Sequence, residues 1–447
     1  MTNDTVRSEG AKVIAHARGL KGMIQPPGDL KSSLANLVVA ALAEGDTTLR
    51  GLSPQGEVTS LLGLLGRLGL PVSFGPEPNT VRLKGRTAVT AIPDEPEEAS
   101  FGRSWDLLCA SAGLFTALGR DARLIGDPGL ASERLTTLEK VLRRMGVEVD
   151  STQEGRSELT IRPRQRESIT CTLEVIDDGL KGALLMAGLG APGSMVLEEP
   201  TRSHDQYERA LRRFGAGITT RAVGGGRGTY RVELESNQPL TGVEADIPGD
   251  PSLSLLLIVA ALLVPRSDLL IQGVNINPTR REALNVLSRR GGRIEIKDRR
   301  TVNGEMIGDV SVRYSKLKGT GIAESSVPFL EDDIPILAVT AAFADGETYF
   351  KGAQRLRHGP VDRIRVIVDN LRRLGVDVGE YPDGLVLRGK TTNDGTEFNA
   401  SGDAGIAMAF HVAGLACQGR SVVHGYEDAI AAQWVSFPQI VEALFIG

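Results

Sequence analysis

VVAALAEGDTTLRGL, Val38–Leu52, runs from a nearly all-apolar helix through one glycine into a strand of β-type residues. The same phrase recurs as SAGLFTALGRDARLIGD at Ser111–Asp127 and LLMAGLGAPGSMVLEEP at Leu184–Pro200. VAALLVPRSDLLIQGV at Val259–Val274, VTAAFADGETYFKGA at Val339–Ala353 and VAGLACQGRSVVHGY at Val412–Tyr426 complete the set. The turn residues Gly45, Gly119, Gly193, Pro265, Gly346 and Gly419 are 74, 74, 72, 81 and 73 positions apart. A fixed period over nearly the whole chain means that one supersecondary unit is repeated.

Each of the first five phrases is followed by an amphipathic helix that ends in glycine and enters a strand. These glycines are Gly69, Gly146, Gly215, Gly291 and Gly375. Glycine just past a last helical turn takes the left-handed conformation that closes the helix. The first helix of each unit is apolar all round and is expected to be buried; the second has one apolar face and is expected at the surface. Six units of about 73 residues, each with two helices and about four strands, predict an α/β protein of two three-unit domains. The Pro/Gly turns Gln25–Asp29 and Ile247–Pro251 are the expected crossings. They give one domain of 28–246 and a second of 1–27 plus 247–447.

The chain has 447 residues, with 41% hydrophobic, 24% charged and 53 glycines, the composition of a folded protein. Its longest apolar stretch, Leu253–Val264, falls short of the ~18–20 residues that span a bilayer. The polar start Met1–Gly10 has no secretory h-region, so the expected location is cytoplasmic and no membrane partner is expected. A net charge of −5 with both signs interspersed argues against nucleic acid. Cys109, Cys171 and Cys417 are far apart in apolar context, which favours neither a disulfide framework nor a metal site. No phosphate loop, nucleophile elbow or zinc helix occurs, and no cofactor is expected. Gly224–Gly228 lies between two strand-like runs and reads as a hairpin turn.

Chemistry is expected at the starts of the six buried helices, whose free N–H groups and positive dipole ends would line one cleft. The residues there are Asp29–Ser33, Arg103–Asp106, Asp177–Lys181, Asp250–Ser252, Glu331–Asp333 and Ser401–Asp403. Single Asp and Ser residues at such places are most often caps. Asp332 and Asp333 together exceed what one cap needs, which leaves a carboxylate for general-base work. His204 and His358 fall in polar loops where catalysis can use them.

PGD…AALAEGDTTL at Pro27–Leu49, EEPTRSHDQYERALRRFG at Glu198–Gly215 and DDIPILAVTAAFADGET at Asp332–Thr348 carry a resemblance. DRIRVIVDNLRRLGVDV at Asp362–Val378, IAMAFHVAGLA at Ile406–Ala416 and SFPQIVEAL at Ser436–Leu444 extend it. With these runs the chain resembles the 5-enolpyruvylshikimate-3-phosphate synthase family of enolpyruvyl transferases, from about Lys21 to Leu444. The resemblance implies two domains of three βαβαββ units each, with an interdomain cleft that holds the substrates. It also implies a strongly basic site, since phosphoenolpyruvate and shikimate 3-phosphate are both multiply charged.

That basic site is degenerate. The family's opening Asp-Lys-Ser falls on Asp29-Leu30-Lys31, and its arginine falls on Ala35. Its Asn, Thr and next Arg fall on Arg103, Asp106 and Cys109, and a further arginine falls on Gly129. The substrate-holding Ser-Ala/Ser-Gln becomes Asp177-Asp178-Gly179, and the Lys-Glu pair becomes Gly359-Pro360. His-Arg becomes Ala404-Gly405 after a preserved Asp403, and a late lysine becomes Val435. Asp332, the family's catalytic aspartate, and Arg363, its phosphoenolpyruvate ligand, are kept.

Losing one charge-assisted contact to a buried charge costs ~2–5 kcal/mol, so losing several ends the binding of two polyanions. The favoured expectation is an enzyme repurposed for elimination or dehydration of a small shikimate-, cyclitol- or sugar-like substrate, without phosphoenolpyruvate. Asp332 is then the base, Lys31 or His358 the acid, and Arg363, Ser203, His204, Asp178, Ser32 and Asp403 the substrate-binding set. Genuine enolpyruvyl transfer with shifted ligands, and an inactive subunit that binds a partner protein, stand beside it.

Overall fold

The computed structural model describes residues 10–85, 96–128, 132–153, 155–174, 176–223, 229–236, 238–390, 392–431 and 437–446. The chain divides into two compact units. One is Pro27–Pro248 with Thr301–Glu305; the other is Met1–Pro26, Gly249–Arg300 and Met306–Gly447. Both are mixed α/β, built from repeats of one design.

Among the described residues, four of the six sheets have four strands and a shared pattern. In the first, Glu244–Asp246 runs parallel to Asp46–Arg50, which pairs antiparallel with Val81–Lys84, with Val72–Phe74 outermost. Glu97–Gly102, Ala122–Gly126, Ser157–Arg162 and Glu148–Thr152 repeat that order in the second, and a third copy lies at Thr170–Leu234. In the second and third sheets the parallel strand comes before the buried helix and its partner after it, whereas in the first the parallel strand Glu244–Asp246 is supplied from much later in the chain. The second unit borrows its first strands from the chain start: Lys21–Ile24 lies parallel to Asp268–Asn275, and Lys12–Ala15 pairs with Arg420–His424.

The apolar phrases form the cores. Leu30–Leu42, Trp105–Leu118 and Asp178–Leu189 are buried along most of their length and pack on one another in one unit. Pro251–Leu263, Ile334–Ala342 and Ala404–Ala416 do so in the other. Small residues sit where two of these helices approach closely: a Cβ on Gly113 would lie 2.9 Å from the Ala183 backbone. Of the outer helices, Arg363–Arg373 buries one apolar face and exposes basic residues to solvent, whereas Gln206–Arg213 is buried along most of its length. Where the repeat has Pro265 in place of glycine, the left-handed turn passes to Arg266, at φ 61°.

The strand runs flanking Gly224–Gly228 pair antiparallel at Ile218–Val223 and Thr229–Leu234, while the glycines themselves lie outside the described residues. So do Gly129 and Val435. Among the described residues no helix is long and apolar enough to cross a membrane. The three cysteines are buried and unbridged.

Candidate functional site

In the Pro27–Pro248 unit, three helix starts bring their polar residues together. Lys31, in the first turn of Leu30–Leu42, points its ammonium at Asp178, with Nζ 3.2 and 3.1 Å from the two carboxylate oxygens. Asp106, in the first turn of Trp105–Leu118, lies 3.8 Å from the same Nζ. His204 Nδ1 is 3.7 Å from Asp178 Oδ2, and Gln206 Nε2 donates to that oxygen at 2.6 Å. Burial pushes the Asp178 carboxyl up, but the Lys31 ammonium, His204 and the Gln206 amide outweigh it and hold it well below the usual carboxylate range. Asp178 is therefore a carboxylate already provided with a cation.

Asp177 caps the third helix, accepting from Leu180 N at 3.0 Å, and the same oxygen accepts from Trp105 Nε1 at 2.9 Å. Arg134 lies 3.9 Å from its other oxygen and 5.4 Å from the Trp105 ring centroid. The indole packs against Gly179, where an added Cβ would sit 3.0 Å from Trp105 Nε1 and 3.3 Å from Cys109 Sγ. Burial, and then the charges of Asp177 and Asp106, push the Cys109 thiol well above its ordinary pKa. It is not a nucleophile.

Ser32 and Ser203 are buried and engaged within the chain. Ser32 Oγ donates to Asp29 Oδ2 at 2.8 Å, and Ser203 Oγ to Glu199 Oε2 at 2.6 Å. The signal that singled them out, serine at a helix start or loop, does not separate an open hydroxyl from one that braces a turn. Beneath Ser203, fully buried Lys181 donates to Glu199 at 3.3 Å and Glu208 at 2.8 Å. This pairing ties a helix, a strand and an outer helix together.

In the other unit, Arg363 opens the Arg363–Arg373 helix, capped by Asp362. Its Nε donates to Asp403 Oδ2 at 2.6 Å and its Nη1 to Asp332 Oδ1 at 3.4 Å. Burial pulls the guanidinium pKa down, but the carboxylates of Asp403 and Asp332 raise it above the ordinary arginine value. Asp403 uses its other oxygen to cap Ala404–Ala416, accepting from Ile406 N at 2.9 Å. Asp333 takes the N-cap position of Ile334–Ala342 without a side-chain bond to the helix, and Asp332, one place earlier, is 68% exposed. His358 is exposed at the end of the short Gln354–Arg357 turn of helix.

The arrangement thus brings together Lys31, Asp178 and His204 in one unit and Asp332, Arg363 and Asp403 in the other. Sequence reasoning placed Trp105 among the helix-start residues without giving it a role, and missed Arg134 and Gln206. A signal for Trp105 existed: a bulky side chain directly after a helix cap, in a chain where the facing helix start has glycine. Gln206 showed no such mark, because its role depends on a contact 28 residues back in the chain. Among the described residues no group of His, Cys, Asp and Glu is arranged to hold a metal ion.

The model of the family described as EPSP synthase (3-phosphoshikimate 1-carboxyvinyltransferase) matches residues 14–444. A 3-phosphoshikimate 1-carboxyvinyltransferase of Synechococcus sp. (strain JA-3-3Ab) is 35% identical over 98% of this chain and 97% of its own. Another, from Solibacter usitatus (strain Ellin6076), is 36% identical over 97% of this chain and 98% of its own. The EPSP synthase structure from Acinetobacter baumannii superposes with TM-score 0.81 at 28% identity, covering 97% of this chain and 98% of that one. The enolpyruvyl transferase NikO from Streptomyces tendae shares the fold, with TM-score 0.73 at 19% identity over 97% of this chain and 96% of its own. A family model matched over nearly the full length, and relatives that cover almost all of the chain, place it in the EPSP synthase family.

Proposed function

We propose that this family member is an enzyme acting on a small shikimate-, cyclitol- or sugar-like ring without phosphoenolpyruvate, by elimination, dehydration or related proton-transfer chemistry. The observation that carries this is charge balance. Lys31 is held by Asp178 and approached by Asp106, while Arg363 is held by Asp403 and approached by Asp332. Each of these two cations already has carboxylates of its own chain beside it. A polyanion would have to displace those carboxylates and then lie against them, at several kcal/mol per unpaired charge.

Asp332 is the assigned base. It is exposed, and the Arg363 guanidinium lies 3.4 Å from it. In a dehydration the carboxylate takes a proton from ring carbon, the electron pair forms the double bond, and the adjacent hydroxyl leaves as water after protonation. His358, in the same unit as Asp332, is the assigned candidate for that acid. Arg363 offers at most one fork to a substrate carboxylate, because its Nε edge is engaged by Asp403.

A second reading, carboxyvinyl transfer itself, is supported by the shared name of the relatives at 35–36% identity and by the retained Asp332–Arg363 pair. Incubation with phosphoenolpyruvate and shikimate 3-phosphate, followed by measurement of inorganic phosphate, separates the two. The repurposed reading expects no release above background. Phosphate release with formation of the enolpyruvyl ether would establish the second.

A further inference from the structure

We propose that the buried guanidinium of Arg290 forms a site for one small inorganic anion of the halide class, enclosed in the unit that carries Asp332. The internal repeat singles this side chain out. In five repeats one residue closes the amphipathic helix directly before the turn glycine: Leu68, Met145, Phe214, Arg290 and Leu374. All of them are buried, from 0 to 6% exposed. The others are apolar and fill the core; the fourth repeat puts a charge in that place.

The contacts of Arg290 leave that charge unpaired. Its Nη1 donates to Leu337 O at 2.8 Å and to Thr340 Oγ1, both neutral acceptors on the Ile334–Ala342 helix. The Phe350 ring centroid lies 6.0 Å from its Cζ, and a ring face compensates a cation only in part. Burial, and then the charge of Arg289, lower its pKa to about 10, and no acidic group among the described residues opposes them. At neutral pH it is still a cation. Its Nε and Nη2 are buried donors that no acceptor reaches.

Those two donors belong to one edge. In a guanidinium, Nε–H and Nη2–H point in parallel from the same side, the fork that grips an anion with two hydrogen bonds. Both are within reach of a single acceptor atom. A water molecule there would satisfy the fork but leave the buried charge unpaired, which is costly. An anion satisfies both. Complete burial favours a small one, because a phosphate or sugar acid brings further oxygens that would each need a donor. The inference is independent of the proposed function, since Arg290 touches none of the residues assigned to it.

Thermal unfolding of the full chain in sodium chloride and sodium bromide tests this, against sodium gluconate at the same ionic strength, whose anion is too large to be enclosed. The halides are expected to raise the melting temperature saturably, by roughly 2–4 °C beyond gluconate. Arg290→Met, which gives the fourth repeat the side chain that the second has at Met145, should abolish that difference while remaining folded in gluconate. A halide effect of the same size in the variant, or none in the wild-type chain, overturns the proposal. Crystals of the wild-type chain grown in bromide decide the matter even if the variant does not fold. An anomalous peak on the Nε and Nη2 edge supports the site, and a water or nothing in that position refutes it.

Discussion

Asp403 gives one oxygen to the cap of Ala404–Ala416 and the other to Arg363, so its replacements separate two effects. Asp403→Asn keeps an acceptor for the Ile406 amide but removes the charge. Asp403→Ala removes both, and the cap alone is worth ~1 kcal/mol. Urea unfolding should therefore place the alanine variant about 1 kcal/mol below the asparagine variant. Equal midpoints would mean that the cap bond contributes nothing. The signs of the charges at these positions were legible in the sequence. Which charges would pair was not, because Lys31 and Asp178 are 147 residues apart and only the fold makes them neighbours.

At the scale of elements, the repeat was legible because an apolar helix, a turn and a strand recur at nearly constant spacing. Where Pro265 breaks the glycine pattern the backbone keeps the conformation through Arg266, so the period was a property of the fold and not of one residue type. The excursion of Thr301–Glu305 into the Pro27–Pro248 unit was hidden, since the run RIEIKDRRTV is polar and lacks an apolar phrase. Two predictions belong here. Lys181 holds Glu199 and Glu208 in a fully buried knot. Lys181→Met should cost ~3–5 kcal/mol in chemical denaturation, because it strands two buried carboxylates. A loss below about 1 kcal/mol would mean that the carboxylates simply take up protons.

The second concerns the facing helix starts at Trp105 and Gly179. Gly179→Gln should destabilise, since its Cβ meets the indole, whereas the same change in a Trp105→Ala background should be tolerated better. A double-mutant cycle should read ~0.5–3 kcal/mol of coupling, and additive effects would show that the two positions do not share that space.

For the whole molecule, acid sensitivity should include a buried histidine that belongs to neither carboxylate cluster. Burial holds His411 neutral and lowers its pKa to about 3, with Nδ1 2.9 Å from Tyr426 Oη. Unfolding frees it to take a proton at its ordinary value near ~6.5. The unfolded chain thus binds more protons below that value. The stabilisation is complete above pH ~6.5, falls as pH drops, and is spent near the folded value of about 3. His411→Gln should flatten that part of the stability–pH curve; an unchanged slope would assign it to other groups.

At the same scale, the proposed function requires that this chain keep the family's fold without holding two polyanions. Thermal unfolding with saturating phosphoenolpyruvate and shikimate 3-phosphate together tests it most directly. A ligand at 100 times its dissociation constant adds ~2.7 kcal/mol of stability, an easily measured rise in melting temperature. The account predicts no rise beyond that produced by the same ionic strength of sodium sulfate. A ligand-specific rise, saturating in both compounds, would contradict it.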